Sequence, residues 1–197
     1  MHLLVVAGML GVGKTSVILK LLEPMIERQT RVVVIENDFG EFGIDTEVLE
    51  RAGLKVRDLK GGCVCCTLQG GLVDNLRALQ LEYDPEVAIV EPTGIADPEF
   101  IINSVTDVTG IRLDGYTVAV VVDSERFLKV KKMFERPLRN QLKVAKIVLL
   151  NKIDTVTSDD LDQIESDIRG FGFDGKVIRV RADTGEGMEG ILEVMEL

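Results

Sequence analysis

Short apolar runs rich in valine, isoleucine and leucine recur along the chain at residues 3–7, 32–35, 87–90, 118–122, 147–150 and 177–180. Within most of them the apolar positions are consecutive. A strand with one wet face alternates polar and apolar residues, so consecutive runs predict strands covered on both faces, as in the middle of a parallel sheet. A shorter run near residues 56–59 predicts one further short strand.

Between these runs the apolar spacing becomes helical. Ile18, Leu21, Leu22 and Ile26 form one face of a helix expected over 15–28, which Pro24 should kink or shorten. Leu72, Leu76 and Leu79 mark a second helix over 72–81, and Pro98 suits the first position of a third over 98–105. Segments 135–144 and 161–168 are amphipathic, the latter introduced by Ser158, Asp159 and Asp160 as cap and acidic first turn. A last helix is expected over 188–195, after the turn at 184–187. The alternation predicts an α/β fold: one doubly wound, mainly parallel sheet with helices on both faces, a single domain over 1–197. No internal repeat and no linker rich in Pro, Ser or Gly divides it.

Composition narrows the partners. The net charge of −10 argues against a protein that tracks nucleic-acid phosphates with a basic surface. No apolar run approaches a membrane span, and residues 1–7 lack the charged flank and cleavage site of a secretory signal, so a cytoplasmic protein with no nucleic-acid or membrane partner is expected.

The first run leads directly into Gly8-Met9-Leu10-Gly11-Val12-Gly13-Lys14-Thr15-Ser16, which fits G-x-x-x-x-G-K-[ST] between a strand and a helix. Glycines let backbone N–H groups turn inward around a phosphate, and the helix start adds its positive end. Gly8, Gly11, Val12, Gly13, Lys14, Thr15 and Ser16 are therefore candidate phosphate-binding residues, with Lys14 reaching the terminal phosphates and the Thr15 hydroxyl suited to Mg²⁺. The loop at 36–45 carries four carboxylates; Asp38 is the first candidate for the Mg²⁺ shell and Glu41 for orienting the attacking water. Another strand ends in Glu91-Pro92-Thr93-Gly94, where Glu91 can hold Mg²⁺ through water and the Gly94 N–H can sense a γ-phosphate. These two segments are the expected switch loops. Neither contains an arginine suited to the phosphates, so intrinsic hydrolysis is expected to be slow.

The run at 147–150 feeds into Asn151-Lys152-Ile153-Asp154. A carboxylate accepts two hydrogen bonds from N1 and the amino group of guanine, a pairing adenine cannot reproduce, so Asp154 selects GTP. Lys152 would lie along the base, Asn151 would tie loops together, and backbone at Ala182 would support the guanine edge. All three cysteines, Cys63, Cys65 and Cys66, fall in one glycine-flanked cluster. Three thiolates can converge on a Zn²⁺-like ion and leave a fourth position open, as suits a metal that must later leave; a structural thiol cluster or a redox centre is the other reading. His2, the one histidine, begins the first strand and is expected to be incidental.

Taken in order, the segments at 8–16, 36–45, 59–68, 91–98 and 151–154 resemble the CobW family of metal-chaperone GTPases, close to the UreG and HypB nickel-insertion GTPases. The resemblance runs from about Leu3 to Thr184, and the C-x-C-C segment is its most specific part. It implies GTP and GDP binding, Mg²⁺, slow GTP hydrolysis, and delivery of Zn²⁺, Co²⁺ or, as in the nickel-insertion relatives, Ni²⁺ to a client protein or cofactor pathway. By position it makes Cys63, Cys65 and Cys66 the metal thiols, Lys14 and Thr15 the phosphate and Mg²⁺ residues, and Asn151, Lys152 and Asp154 the guanine readers. Gly62 stands where the family often has asparagine, and neither a second C-terminal domain nor a histidine-rich stretch is expected. A metal-receiving client is the partner implied, with a nucleotide- or metal-dependent homodimer as a further expectation. The rival readings are a nucleotide-gated metal sensor and a thiol-redox-controlled GTPase.

Overall fold

In the computed structural model the apolar runs become β1 (His2–Ala7), β2 (Val32–Glu36), β3 (Lys55–Asp58), β4 (Val87–Glu91), β5 (Gly115–Asp123), β6 (Ile147–Asn151) and β7 (Lys176–Arg179). The structure describes residues 1–36, 55–58 and 68–197. Candidates Asp38, Glu41, Cys63, Cys65 and Cys66 lie outside the described residues. Among the described residues the strands form one seven-stranded sheet in the order β3-β2-β4-β1-β5-β6-β7, with every neighbouring pair parallel. Every residue of β4 and β6 is buried, the covering on both faces that their unbroken apolar runs require.

The helices are α1 (Lys14–Glu27), α2 (Leu68–Tyr83), α3 (Pro98–Thr106), α4 (Phe127–Met133), α5 (Glu135–Lys143), α6 (Ser158–Gly170) and α7 (Ile191–Met195). The chain moves from β1 outward to β2, then crosses back and proceeds from β4 to β7 in the opposite direction. Right-handed crossovers running in opposite directions place their helices on opposite faces. The contacts agree with this division: Arg28 of the α1 end pairs with Glu193 of α7 at 2.6 Å, while Lys131 of α4 pairs with Asp167 of α6 at 2.8 Å.

Several elements differ from the sequence expectation for identifiable reasons. Pro24 neither ends nor shortens α1. Val17, Ile18, Leu21, Leu22 and Met25 are almost wholly buried, and at about 1.5–3 kcal/mol each they outweigh the roughly 3 kcal/mol cost of an interior proline. The α6 cap is Thr157, one residue before the expected Ser158. Its hydroxyl accepts from Asp160 N–H at 3.2 Å and the Asp160 carboxylate accepts the Thr157 N–H at 3.1 Å, a closed capping box. The last helix begins at Ile191 because Gly190 takes φ 70 immediately before it. The short α4, absent from the periodicity, is held by the fully buried Phe127. No helix among the described residues is long and apolar enough to cross a membrane.

Candidate functional site

The loops that leave β1, β4, β5, β6 and β7 all emerge at the carboxyl edge of the sheet, where the strand order changes direction around β1. Gly8, Gly11 and Gly13 have φ 143, 75 and 94, conformations that side-chain-bearing residues rarely adopt. Space imposes the same residue choice. A Cβ at Gly8 would lie 2.4 Å from the Val121 carbonyl oxygen, and one at Gly13 would lie 2.4 Å from Asn151 Nδ2. The α1 N-terminus has no side-chain cap, which leaves its first-turn N–H groups facing the loop as an anion receptor.

At the base of this loop Lys14 is buried, with Nζ 3.6 Å from Glu91 Oε1. Thr15 donates its hydroxyl to Glu91, 3.2 Å from each carboxylate oxygen. The end of β4 is thereby joined to the start of α1 by a cation, a hydroxyl and a carboxylate. A hydroxyl and a carboxylate side by side are hard oxygen donors of the kind Mg²⁺ takes together with phosphate oxygens, so the residues present fit the ion. The Thr93 hydroxyl, two residues on, is buried and has no hydrogen-bond partner among the described residues. A Cβ at Gly94 would come within 2.5 Å of Leu10 N, so only glycine lets this backbone lie directly on the phosphate loop. Leu10, Lys14, Glu91, Thr93, Gly94 and Arg126 contribute to the walls of a cavity of about 450 Å³.

The candidate base-reading side is built around Asn151. Its Nδ2 donates to the Val12 carbonyl at 2.9 Å, and its Oδ1 accepts the Ala182 N–H at 3.0 Å. The Ala182 N–H is therefore engaged in tying β7's exit loop to β6's. Lys152, at φ 60, donates to the Gly11 carbonyl at 3.1 Å and to Asp123 Oδ2 at 2.7 Å. Asp154 is exposed, with Oδ1 3.7 Å from Arg181 Nε. The hydrogen bonds that Arg181 donates to the Asp183 carboxylate, and secondly the charge of Asp154, hold its guanidinium above its ordinary pKa. Gly8, Gly11, Val12, Gly13, Lys14, Thr15, Ser16, Glu91, Gly94, Asn151, Lys152, Asp154 and Ala182 thus lie on loops and element ends along one edge. Among the described residues no group of three or more His, Cys, Asp or Glu side chains is placed to hold a metal ion.

Four residues enter that the sequence reading does not select. Asp123, the buried end of β5, receives Lys152. Gln141 of α5 donates to the carbonyls of Gly94 and Ala96 at 3.0 and 3.3 Å, which fastens the segment after Glu91 to a helix. Its signal was available as a polar residue inside the apolar face made by Leu138 and Leu142. Arg181 faces Asp154, and Arg126 reaches the phosphate loop from the start of α4.

The family model described as "CobW/HypB/UreG, nucleotide-binding domain" matches residues 2–179. The chain is 32% identical over 155 residues to the zinc chaperone YeiR of Escherichia coli K12, an alignment covering 78% of this chain and 47% of that protein. It is 29% identical over 198 residues to the zinc chaperone CobW of Pseudomonas aeruginosa, covering 84% and 52%. The chain thus spans about half the length of the curated relatives it matches. Among solved structures, the hydrogenase maturation factor HypB of Archaeoglobus fulgidus superposes with a TM-score of 0.71 at 18% identity, covering 100% of this chain and 89% of that one, a likeness of fold.

Proposed function

The chain belongs to the CobW/HypB/UreG nucleotide-binding domain family, and from that premise we propose that it is a GTP-hydrolysing module that couples nucleotide state to the handling of a transition metal, Zn²⁺ or Co²⁺ in type, destined for a client protein. The observation that carries the nucleotide half is the Lys14, Thr15 and Glu91 cluster at the base of a glycine cradle that packs directly on Asn151. The metal half is supported by Cys63, Cys65 and Cys66 in the sequence and by relatives named zinc chaperones.

In this reading the first-turn N–H groups and Lys14 take the phosphates, and Thr15 with Glu91 holds Mg²⁺. The ion, when bound, neutralises charge on the β- and γ-phosphates. Lys14 and Glu91, 3.6 Å apart, would hold opposite charges for the two ligands, the ammonium for phosphate oxygens and the carboxylate for the ion. Asp154 accepts the guanine N1 and amino hydrogens, and Lys152 stays fixed by Asp123 and the Gly11 carbonyl. Glu41 orients the water whose oxygen attacks the γ-phosphorus. Gly94 sits on the phosphate loop and is pinned by Gln141, so presence or loss of the γ-phosphate is felt at α5.

Coupling has a thermodynamic requirement. If the GTP-bound state binds metal more tightly, metal must tighten GTP by the same factor. A switch from 1:99 to 99:1 needs about 5.5 kcal/mol of differential binding. The test is a Zn²⁺ titration of the chain with a non-hydrolysable GTP analogue and with GDP, repeated on Cys65→Ala. Different affinities in the two nucleotide states, lost in the variant, are expected. Equal affinities would remove the coupling, and metal retained by a partner-bound protein that never transfers it would favour a sensor.

A further inference from the structure

We infer that Arg126 is a phosphate-facing cation supplied in cis, placed to neutralise the charge that develops on the triphosphate during hydrolysis; the inference rests on the GTPase reading above. A Cβ built on Gly11 would lie 3.0 Å from Arg126 Nη1, so the guanidinium lies directly against the outer turn of the phosphate loop. Arg126 also lines the cavity that contains Lys14, Glu91 and Gly94. Two positively charged groups of different kinds therefore face one space, Lys14 from its floor and Arg126 from its rim.

Its backbone is held in place. The Arg126 N–H donates to Asp123 Oδ1 at 3.1 Å, and its carbonyl accepts the Val130 N–H at 3.0 Å as α4 begins. The same Asp123 receives Lys152, so the anchor of the arginine and the anchor of the base-reading loop are one buried carboxylate. The guanidinium itself is not occupied elsewhere: among the described residues no carboxylate forms an ion pair with Arg126. Among the described residues the hydrogen bond that Arg126 donates is from its backbone N–H to Asp123, and none runs from its guanidinium to the loop.

The chemistry such a group performs follows from the reaction. Water oxygen forms a bond to the γ-phosphorus as the bond from that phosphorus to the β–γ bridging oxygen breaks; the electron pair of the broken bond goes to the β-phosphate, and the water's proton passes to the released inorganic phosphate. A guanidinium stays protonated throughout and presents two parallel N–H donors, which suits the bridging and γ oxygens better than a lysine's single point charge. An arginine in this role elsewhere is worth about 10³–10⁵ in rate, and the exposed setting of Arg126 places the expected effect below the lower bound.

The test uses the full chain with Mg²⁺ and compares wild type, Arg126→Ala and Arg126→Lys in single-turnover GTP hydrolysis and in titrations with GDP alone and GDP plus aluminium fluoride. We expect Arg126→Ala to slow hydrolysis by about tenfold or more and to lose the fluoride-dependent tightening, with GDP affinity and unfolding midpoint unchanged; Arg126→Lys should recover part of both. Unchanged hydrolysis and unchanged fluoride-dependent binding in Arg126→Ala would overturn the inference and leave the GTPase reading intact. A parallel loss of GDP affinity and thermal stability would overturn it in favour of a scaffold role. Wild type that neither binds nor hydrolyses GTP would instead sink the GTPase reading, and this inference with it.

Discussion

Asp154 is exposed and already faces a guanidinium 3.7 Å away, so on the proposed reading guanine would compete with Arg181 for its carboxylate. Two charge-assisted hydrogen bonds more than offset one exposed, loosely spaced ion pair. Asp154→Asn replaces one acceptor with a donor that meets the guanine amino group. The GDP dissociation constant is expected to rise about 100-fold, and XDP, which offers a carbonyl at that position, should become the better ligand; competition binding with the two nucleotides reads this directly. His2 raises a different question at the same scale. Its Nε2 lies 3.0 Å from Thr117 Oγ1, and burial first, then the charge of Lys146, lowers its pKa below 6.5. The unfolded chain therefore takes up this proton first as pH falls. Stability from the neutral ring is complete above about pH 6.5 and is lost as the pH falls from there through the folded pKa. Thermal unfolding followed from about pH 7.5 to 5.5 should show this decline, and His2→Gln should flatten it.

The elements differ in how plainly their sequences declare them. The phosphate loop is legible because its spacing is local and its neighbours, a buried run and a helix, are contiguous with it. The N-K-x-D segment is legible for the same reason. Arg126, Asp123 and Gln141 are not, since they reach the site only because β5 lies beside β1 and α5 lies against the segment after β4, adjacencies that no local spacing encodes. Helix α4 escaped detection because Phe127 is its only buried apolar anchor and lysines fill its middle. The α6 start shows a finer limit: both Thr157 and Ser158 are capping residues, and only the reciprocal bond with Asp160 distinguishes them. Thr157→Ala should lower stability by about 1 kcal/mol, and for a chain of this size the unfolding midpoint should fall by roughly 2–4 °C in a calorimetric scan. Ser158→Ala should leave the midpoint nearly unchanged.

At the scale of the whole molecule, one sheet edge collects the cradle, the carboxylate of β4 and the base-reading loops, while the order of strands fixes which of them touch. Between Gly13 and Asn151 there is no space for even a methyl group. Asn151 grips Val12 and Ala182, and Lys152 grips Gly11 and Asp123, so two of the four positions in the segment the ligand's base would meet are committed to holding the phosphate loop and its neighbours. The tetrapeptide at 151–154 is consequently no detachable cassette. Exchanging Asn151 or Lys152 for another base preference would loosen the phosphate cradle as well, so a nucleotide exchange engineered here has to work through the exposed Asp154.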